Sequence, residues 1–422
     1  MPTSSPLFTT LFAPLFTALK SCTQQRQCHV ISDSDWLQIG ALRALQDHPS
    51  GRAFLQHLDA NDDLAIDAPT VGHFFESLKS QRRLDLCEET NAHITQAMTH
   101  ELPDVFEPFE TLANFDIYAG DGHSHASATH DARNPTDNSK LSVNHFYTLD
   151  LRTHALAHLT VADSIARKRE HDMRALKRTS NATLRNGAKK GRKVIYVWDR
   201  AGIDFRQWYN WKQSSGIYFI SRQKVNMTLE TISPRAFDSD DTLNAGVQRD
   251  ELVSSRSEVT LRRVVYHDVA RGEEFNFLTN EMTLAPGMIA HLYKMRWDIE
   301  KVFDDLKNKM EETKAWASSL TAKSMQAQFL CIVHNLLKIL EHHLEKEHAI
   351  RNEAEIKRRK KRFEKVQATL HKRGHVMPLL AQIIQRVTQC SVKLIRWIRC
   401  HLFSTTCYER ALKQLQRLYA TL

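Results

Sequence analysis

Tyr293-Lys-Met-Arg-Trp-Asp-Ile-Glu-Lys-Val-Phe-Asp-Asp-Leu-Lys307 is the stretch from which the rest of the chain can be read. Pro286 opens it as a long helix. At roughly 100° per residue, Arg296, Glu300 and Lys307 fall within about 40° of one another, with Tyr293 about 60° from Arg296 and close to Glu300. A carboxylate for a metal, two cations for phosphates and an aromatic for a base or sugar thus share one predicted face, a set suited to holding a DNA end. Ile299, Val302, Phe303 and Leu306 supply core contacts on the other side. The plain structural alternative is a surface helix stabilised by local ion pairs.

Upstream, the apolar run Lys193-Val-Ile-Tyr-Val-Trp198 reads as a strand that leads straight into Asp199, and Ile117–Gly120 reads as another that leads into Asp121. Carboxylates at strand ends are well placed for hard cations. Two-metal phosphoryl transfer needs Mg²⁺ ions about 3.5 to 4 Å apart held by shared carboxylates, which Asp121, Asp199 and Glu300 can supply together. Singly, each has a bland reading, since Asp-Gly is a common turn and Asp after a strand a common helix cap. Asp116, Asp204, Asp298, Asp304 and Asp305 compete by proximity; strand and helix positions disfavour them, Asp304 least clearly. His123, His125 and His130 fit no zinc spacing and read as a polar loop beside the site.

Two further strands are predicted at Asn144–Leu151 and Ala155–Val161, and a basic helical segment over Ser164–Arg185 precedes Lys193. A helix over Asp204–Gln213 and a strand over Gly216–Ser221 continue the alternation of an α/β domain. Residues 222–286 turn β-rich, with Glu258–Tyr266 and Phe275–Thr279 clearest, as an inserted β subdomain. The region up to Pro108 has helical spacing throughout, in Leu7–Leu19, Trp36–Leu45 and Val71–Leu78, and looks like a separate domain. Its Pro69–Lys79 segment, followed by Arg82 and Arg83, reads equally well as a DNA-reading helix or a packing helix with a basic end. The C-terminal region is helical and basic, including Lys357-Arg-Arg-Lys-Lys-Arg362, and the apolar repeat Phe329, Val333, Leu336, Leu337 and Leu340 suits a core or an interface.

A chain of 422 residues calls for two or three domains. With 58 Lys and Arg against 49 Asp and Glu, the net charge is +9, so polyanions are the first partners to consider. The seven cysteines form no Cys-x-x-Cys pair and read as reduced, without a zinc site. No stretch has the character of a membrane span or a signal peptide, and a cytoplasmic location is expected.

The helix segment resembles the Tyr-x2-Arg-x3-Glu-x6-Lys signature of bacterial insertion-sequence DDE transposases of insertion sequence family four, at all four positions. The order agrees too: Asp121 in an Asp-Gly context, Asp199 after a hydrophobic strand and before Arg200, then a β-rich insertion ending at Leu278-Thr-Asn280. The likeness spans Asn114–Ser319. It implies an α/β fold with an RNase H-like catalytic core over 111–320 and a β-rich insertion over 222–286. A helical N-terminal DNA-binding domain over 1–110 and a helical C-terminal region over 321–422, a candidate for dimerisation, would flank it. It further implies Asp121, Asp199 and Glu300 as ligands of two Mg²⁺ ions, replaceable by Mn²⁺, and Tyr293, Arg296 and Lys307 as contacts to DNA. The partners would be the element's terminal inverted repeats, target DNA and a second copy of the chain in a synapsed dimer. Trp208, Trp211 and Trp297 are loose candidates for holding a flipped base in members that form hairpins. A transposase remnant that binds without cutting, another RNase H-like nuclease and a helical scaffold are the competing readings.

Overall fold

The computed structural model describes residues 5–420 apart from 29, 61–65, 67, 135–137, 163–169, 256–258, 270, 311, 375–388 and 405. Five helices come first: α1 (Pro6–Lys20), α2 (Asp33–Leu45), α3 (Gly51–Asp59), α4 (Val71–Ser77) and α5 (Gln81–Glu101). Each is capped by the Ser or Thr immediately before it, as where the Ser5 hydroxyl accepts the Phe8 N–H at 3.1 Å. Three antiparallel strands follow, β1 (Phe115–His125), β2 (Val143–Asp150) and β3 (Leu156–Val161). After α6 (Asp172–Arg178) and α7 (Asn181–Leu184) come β4 (Lys193–Val197), α8 (Phe205–Ser215) and β5 (Ile217–Arg222), with β4 parallel to both β1 and β5. The beginning of the expected basic helix, residues 164–169, lies outside the described residues.

The β-rich interval continues the main sheet. Its strands β6 (Glu230–Pro234), β7 (Val247–Ser254), β8 (Thr260–Asp268) and β9 (Glu273–Thr279) form an antiparallel meander whose last strand pairs with β5. One nine-stranded sheet results, in the order β3-β2-β1-β4-β5-β9-β8-β7-β6. Arg262 is buried in the meander, donates twice to Asp250 at 2.8 Å and reaches the Leu284 carbonyl, so its charge is paired on every side that the fold presents. The chain then forms α9 (Pro286–Met295) and α10 (Trp297–Asp304), and continues in α11 (Leu320–His348), α12 (Glu353–Lys372), α13 (Val392–His401) and α14 (Tyr408–Ala420). Among the described residues, no helix is long and apolar enough to cross a membrane.

β4 is apolar at nearly every position because both of its faces are covered, as expected of a central parallel strand. Val194, Tyr196 and Trp198 pack beneath α6 and α8, while Ile195 and Val197 join the core on the opposite face. That second core is continuous with α1, α2, α5 and α11, so among the described residues the N-terminal helices share the sheet's interior and form no separate core. α11 is its axis: Phe329, Val333, Leu336, Leu337 and Leu340 are buried within the chain, which commits that apolar face internally. Strand β3 would expose an unpaired edge. Asn335 of α11 covers it by accepting the Leu156 N–H at 2.8 Å, donating to the Leu156 carbonyl at 3.0 Å and donating to Asn91 of α5 at 2.9 Å. The two arginines after α4 are likewise absorbed: Arg82 pairs with Asp33 at 2.8 Å, and Arg83 lies 4.8 Å from the Trp36 ring and donates to Ile31.

At the end of β2, the Asp150 carboxyl is pushed up to about 6 by burial, against the hydrogen bonds it accepts from the Arg152 N–H and the Thr153 hydroxyl. An acid whose folded pKa is raised contributes stability that is complete below the unfolded value of about 3.9 and is lost as pH rises through the folded value. Denaturant unfolding of wild type and Asp150→Asn should therefore show the variant gaining on wild type by up to about 3 kcal/mol between pH ~4 and ~6.5. A constant gap across that window would contradict the assignment.

Candidate active site

Alternation along a strand puts Ile117, Ala119 and Asp121 on one face of β1, and Ile195, Val197 and Asp199 on the same face of β4. The parallel register pairs Ala119 with Val197, so the two aspartates come out side by side, Asp199 just past the end of β4 and Asp121 in the middle of β1, which runs on to His125 rather than ending before Asp121 as expected. Asp199 then starts a tight turn by accepting the Ala201 N–H at 2.7 Å, while its carbonyl accepts the Ser221 hydroxyl. From the opposite face the fully buried Trp198 ring lies against Gly120 and Gly202. A Cβ on Gly120 would come within 2.0 Å of that ring and one on Gly202 within 2.6 Å. Trp198 Nε1 donates to Asp172 at the start of α6, which brings a further carboxylate near Asp199. Burial, opposed by this hydrogen bond and helped by Asp199, raises the Asp172 pKa. Sequence reading had missed Asp172, whose position in a helix's first turn looks like ordinary capping.

The third carboxylate arrives on α10, which packs over β1. The predicted continuous helix is broken twice. Arg296 forms a turn between α9 and α10, where its N–H reaches the Tyr293 carbonyl, and residues Asp305–Lys309 form a π-turn. Arg296 and Glu300 still meet at 2.5 Å, and the other end of the guanidinium donates to Asp121 Oδ2 at 2.9 Å. One buried cation thus bridges the strand carboxylate and the helix carboxylate. Burial pushes Asp121 up to about 6; Arg296 and the Gly122 N–H pull it down, and Asp199 adds to the rise. Burial also works against the charge on Arg296, but Asp121, Tyr293 and Glu300 outweigh it and raise its pKa. The Tyr293 ring lies 4.9 Å from that of Phe277, and burial raises its hydroxyl pKa, with Arg296 opposing and Asp199 adding. Lys307 is exposed on the π-turn and makes no ion pair among the described residues, so the structure gathers Asp121, Asp199, Tyr293, Arg296 and Glu300 but does not join Lys307 to them.

The neighbouring acids have other partners. Asp116 pairs with Arg192 at 2.7 Å, Asp204 with Lys177 at 2.6 Å, Asp298 with Lys301 at 2.6 Å and Asp305 with Lys309 at 2.5 Å, while Asp304 accepts from Asn308 and Gln389. His123 and His125 do not lie in a loop as expected; β1 runs on through both and buries them. They face the two oxygens of Glu312 at 3.1 and 3.5 Å, and the Phe303 ring stacks on His123. The Glu312 N–H closes the π-turn onto the Leu306 carbonyl, and Ala126 at the end of β1 pairs with Thr313 and Ala315. Glu312 therefore ties the end of the Glu300 helix to the strand that carries Asp121. Among the described residues, no group of three His, Cys, Asp or Glu converges closely enough to hold a metal ion, and Arg296 occupies the space between Asp121 and Glu300. Trp208 and Trp211 are core residues stacked on Phe219, whereas Trp297 is 58 % exposed, 5.8 Å from the Arg296 guanidinium.

A model of the transposase DDE domain matches residues 117–336, more than half of the chain. The chain belongs to this family. The matched span opens in β1 just before Asp121, contains the whole β6–β9 meander and ends inside α11. In this DDE transposase, α1–α5 and α12–α14 lie outside the matched domain, although α1, α2 and α5 pack against it through α11. No curated protein matches the chain significantly.

Since the Trp198 ring fills the space above Gly120, Gly120→Ala should force β1 and β4 apart beside both aspartates. The expected cost is about 1 to 3 kcal/mol in denaturant unfolding. Stability equal to wild type would show that the ring moves freely.

Proposed function

We propose that this DDE transposase cuts and rejoins DNA at the ends of an insertion sequence of family four, using Asp121, Asp199 and Glu300 as acceptors for two divalent ions, Mg²⁺ or Mn²⁺. The observation that carries the reading is the single guanidinium shared by Asp121 and Glu300, residues that lie far apart in the chain and are brought together by the packing of α10 on β1. The strand order β3-β2-β1-β4-β5, with β1, β4 and β5 parallel, supports an RNase H-like core, and the Tyr293, Arg296, Glu300 and Lys307 spacing supports the finer family assignment.

The donor set suits hard cations, since it consists of carboxylate oxygens, two of which already converge on one positive group. When bound, the two divalent ions would activate the attacking oxygen and stabilise the leaving one. The chain's own residues do the positioning. Asp121 and Asp199 are held at fixed spacing by the β1–β4 register, and Glu300 is held over them by the packing of α10 on β1. Arg296 offers a planar fork that fits a phosphate as well as a carboxylate. Lys307, exposed on the π-turn, is available to the DNA backbone, and Trp297 presents an open ring for a base to stack on. The reading extends to a synapsed dimer acting on terminal inverted repeats and target DNA, with the region before residue 110 contributing to end recognition.

DNA carrying the element's own ends should be nicked there in Mg²⁺ and left intact in EDTA. Asp121→Asn, Asp199→Asn and Glu300→Gln should lose cutting by several orders of magnitude while still shifting the DNA in a gel. End binding without any cutting by wild type would favour a remnant that recognises ends and no longer reacts. Lys307→Ala should weaken end binding and reduce the slope of log Kd against log salt by about 1, the signature of one lost phosphate contact. An unchanged slope would remove Lys307 from the interface.

A further inference from the structure

Arg296 is positioned as a neighbour of the reacting groups and also as an occupant of their space. Its side chain is 11 % exposed, and its two terminal nitrogens are committed to Asp121 Oδ2 and Glu300 Oε1. Those are the oxygens that a cation shared by strand and helix would have to reach. A guanidinium does not lose its proton in a protein, so it does not leave by titration; it leaves when another anion takes it. We propose that Arg296 keeps this carboxylate pair closed to divalent metal until a DNA phosphate draws the guanidinium away, so that metal loading depends on a bound DNA end. The inference rests on the reading of Asp121 and Glu300 as metal acceptors.

Three features support the exchange. The guanidinium matches phosphate oxygens as well as it matches carboxylates, so a phosphate arriving at the rim competes for the same fork. Arg296 sits at the turn between α9 and α10, where the Arg296 and Ile299 N–H groups reach back three residues and the regular helical ladder is interrupted. It also lines an open cleft bounded by Tyr293, Lys294, Trp297 and Phe275, with the exposed Trp297 ring 5.8 Å from its guanidinium. The side chain thus has a direction in which to leave and an aromatic surface beside it. Without DNA, the internal cation neutralises two crowded carboxylates. With an end in place, the same charge serves the phosphate and the carboxylates are free. A nuclease site built this way would be unloaded away from its own DNA ends.

The test is Mn²⁺ binding to the full chain, followed by electron paramagnetic resonance of the free ion at neutral pH, with thermal melts to establish that each protein is folded. Without DNA, Arg296→Gln should bind Mn²⁺ roughly tenfold or more tighter than wild type, and a 5′-phosphorylated duplex of the element's end should bring wild type to the affinity of the variant. Arg296→Lys keeps the charge but cannot fork to both carboxylates, so it should fall between the two, and it carries the comparison if the Gln variant melts early. Equal affinity in wild type and both variants, with Mn²⁺ lost in Glu300→Gln, would overturn the proposal and leave the metal-acceptor reading standing. No carboxylate-dependent Mn²⁺ binding by any of the folded proteins, with or without the duplex, would overturn both.

Discussion

The parallel pairing of β1 with β4 is the constraint on which the site depends. Its register places Ala119 against Val197, and strand periodicity then leaves Asp121 and Asp199 no choice of face. From behind, the Trp198 ring occupies the space that Gly120 and Gly202 leave open, so the strands can approach only while those positions lack a side chain. Everything else in the site is brought to this pair: Glu300 by the packing of α10, Asp172 by its hydrogen bond to the Trp198 indole, and Arg296 by the charge between them.

Burying carboxylates beside one another has an electrostatic cost, visible in the raised carboxyls of Asp121 and Asp172, where burial is the main cause and the charge on Asp199 adds to it. The chain as a whole is positive by +9, yet its centre is acidic. A basic exterior draws in a polyanion over long range, while an acidic centre needs cations at short range. Arg296 belongs to both regimes, because it neutralises the centre from within and lines the cleft beside it.

The strands that build the site were legible because burial leaves a strong signature. Lys193–Trp198 is apolar almost throughout, as a strand covered on both faces must be, and its observed bounds of Lys193–Val197 differ by one residue. The Arg296–Glu300 contact was legible too, since residues four apart meet on any helix. Lys307 was not, because the π-turn at Asp305–Lys309 changes the helical count before the chain reaches it, and nothing local in Asp-Asp-Leu-Lys announces that change. β6 was missed as an element: Glu230–Pro234 is an exposed edge strand with no apolar alternation to detect. The Glu312 link to His123 and His125 joins segments nearly two hundred residues apart, and no spacing rule reaches across such a distance. The N-terminal helices were visible by their periodicity, but not the fact that their partner is α11.

That partnership also bears on the order in which the molecule can be made. α1 buries Leu7, Leu11, Phe12 and Leu15 in a core whose axis is α11, and the Ser5 hydroxyl donates to the Leu402 carbonyl. During synthesis at roughly 5 to 20 residues per second, α1 can meet α2 and α5 within about 4 to 16 seconds, but the part of its apolar face that α11 covers waits on the order of 15 to 60 seconds. That part of the face must be borne by the nascent chain or by a chaperone over that interval. The sheet from β1 to β5 draws on segments far closer in sequence and can pair well before then. The contact between α1 and α11 would thus be among the last to form.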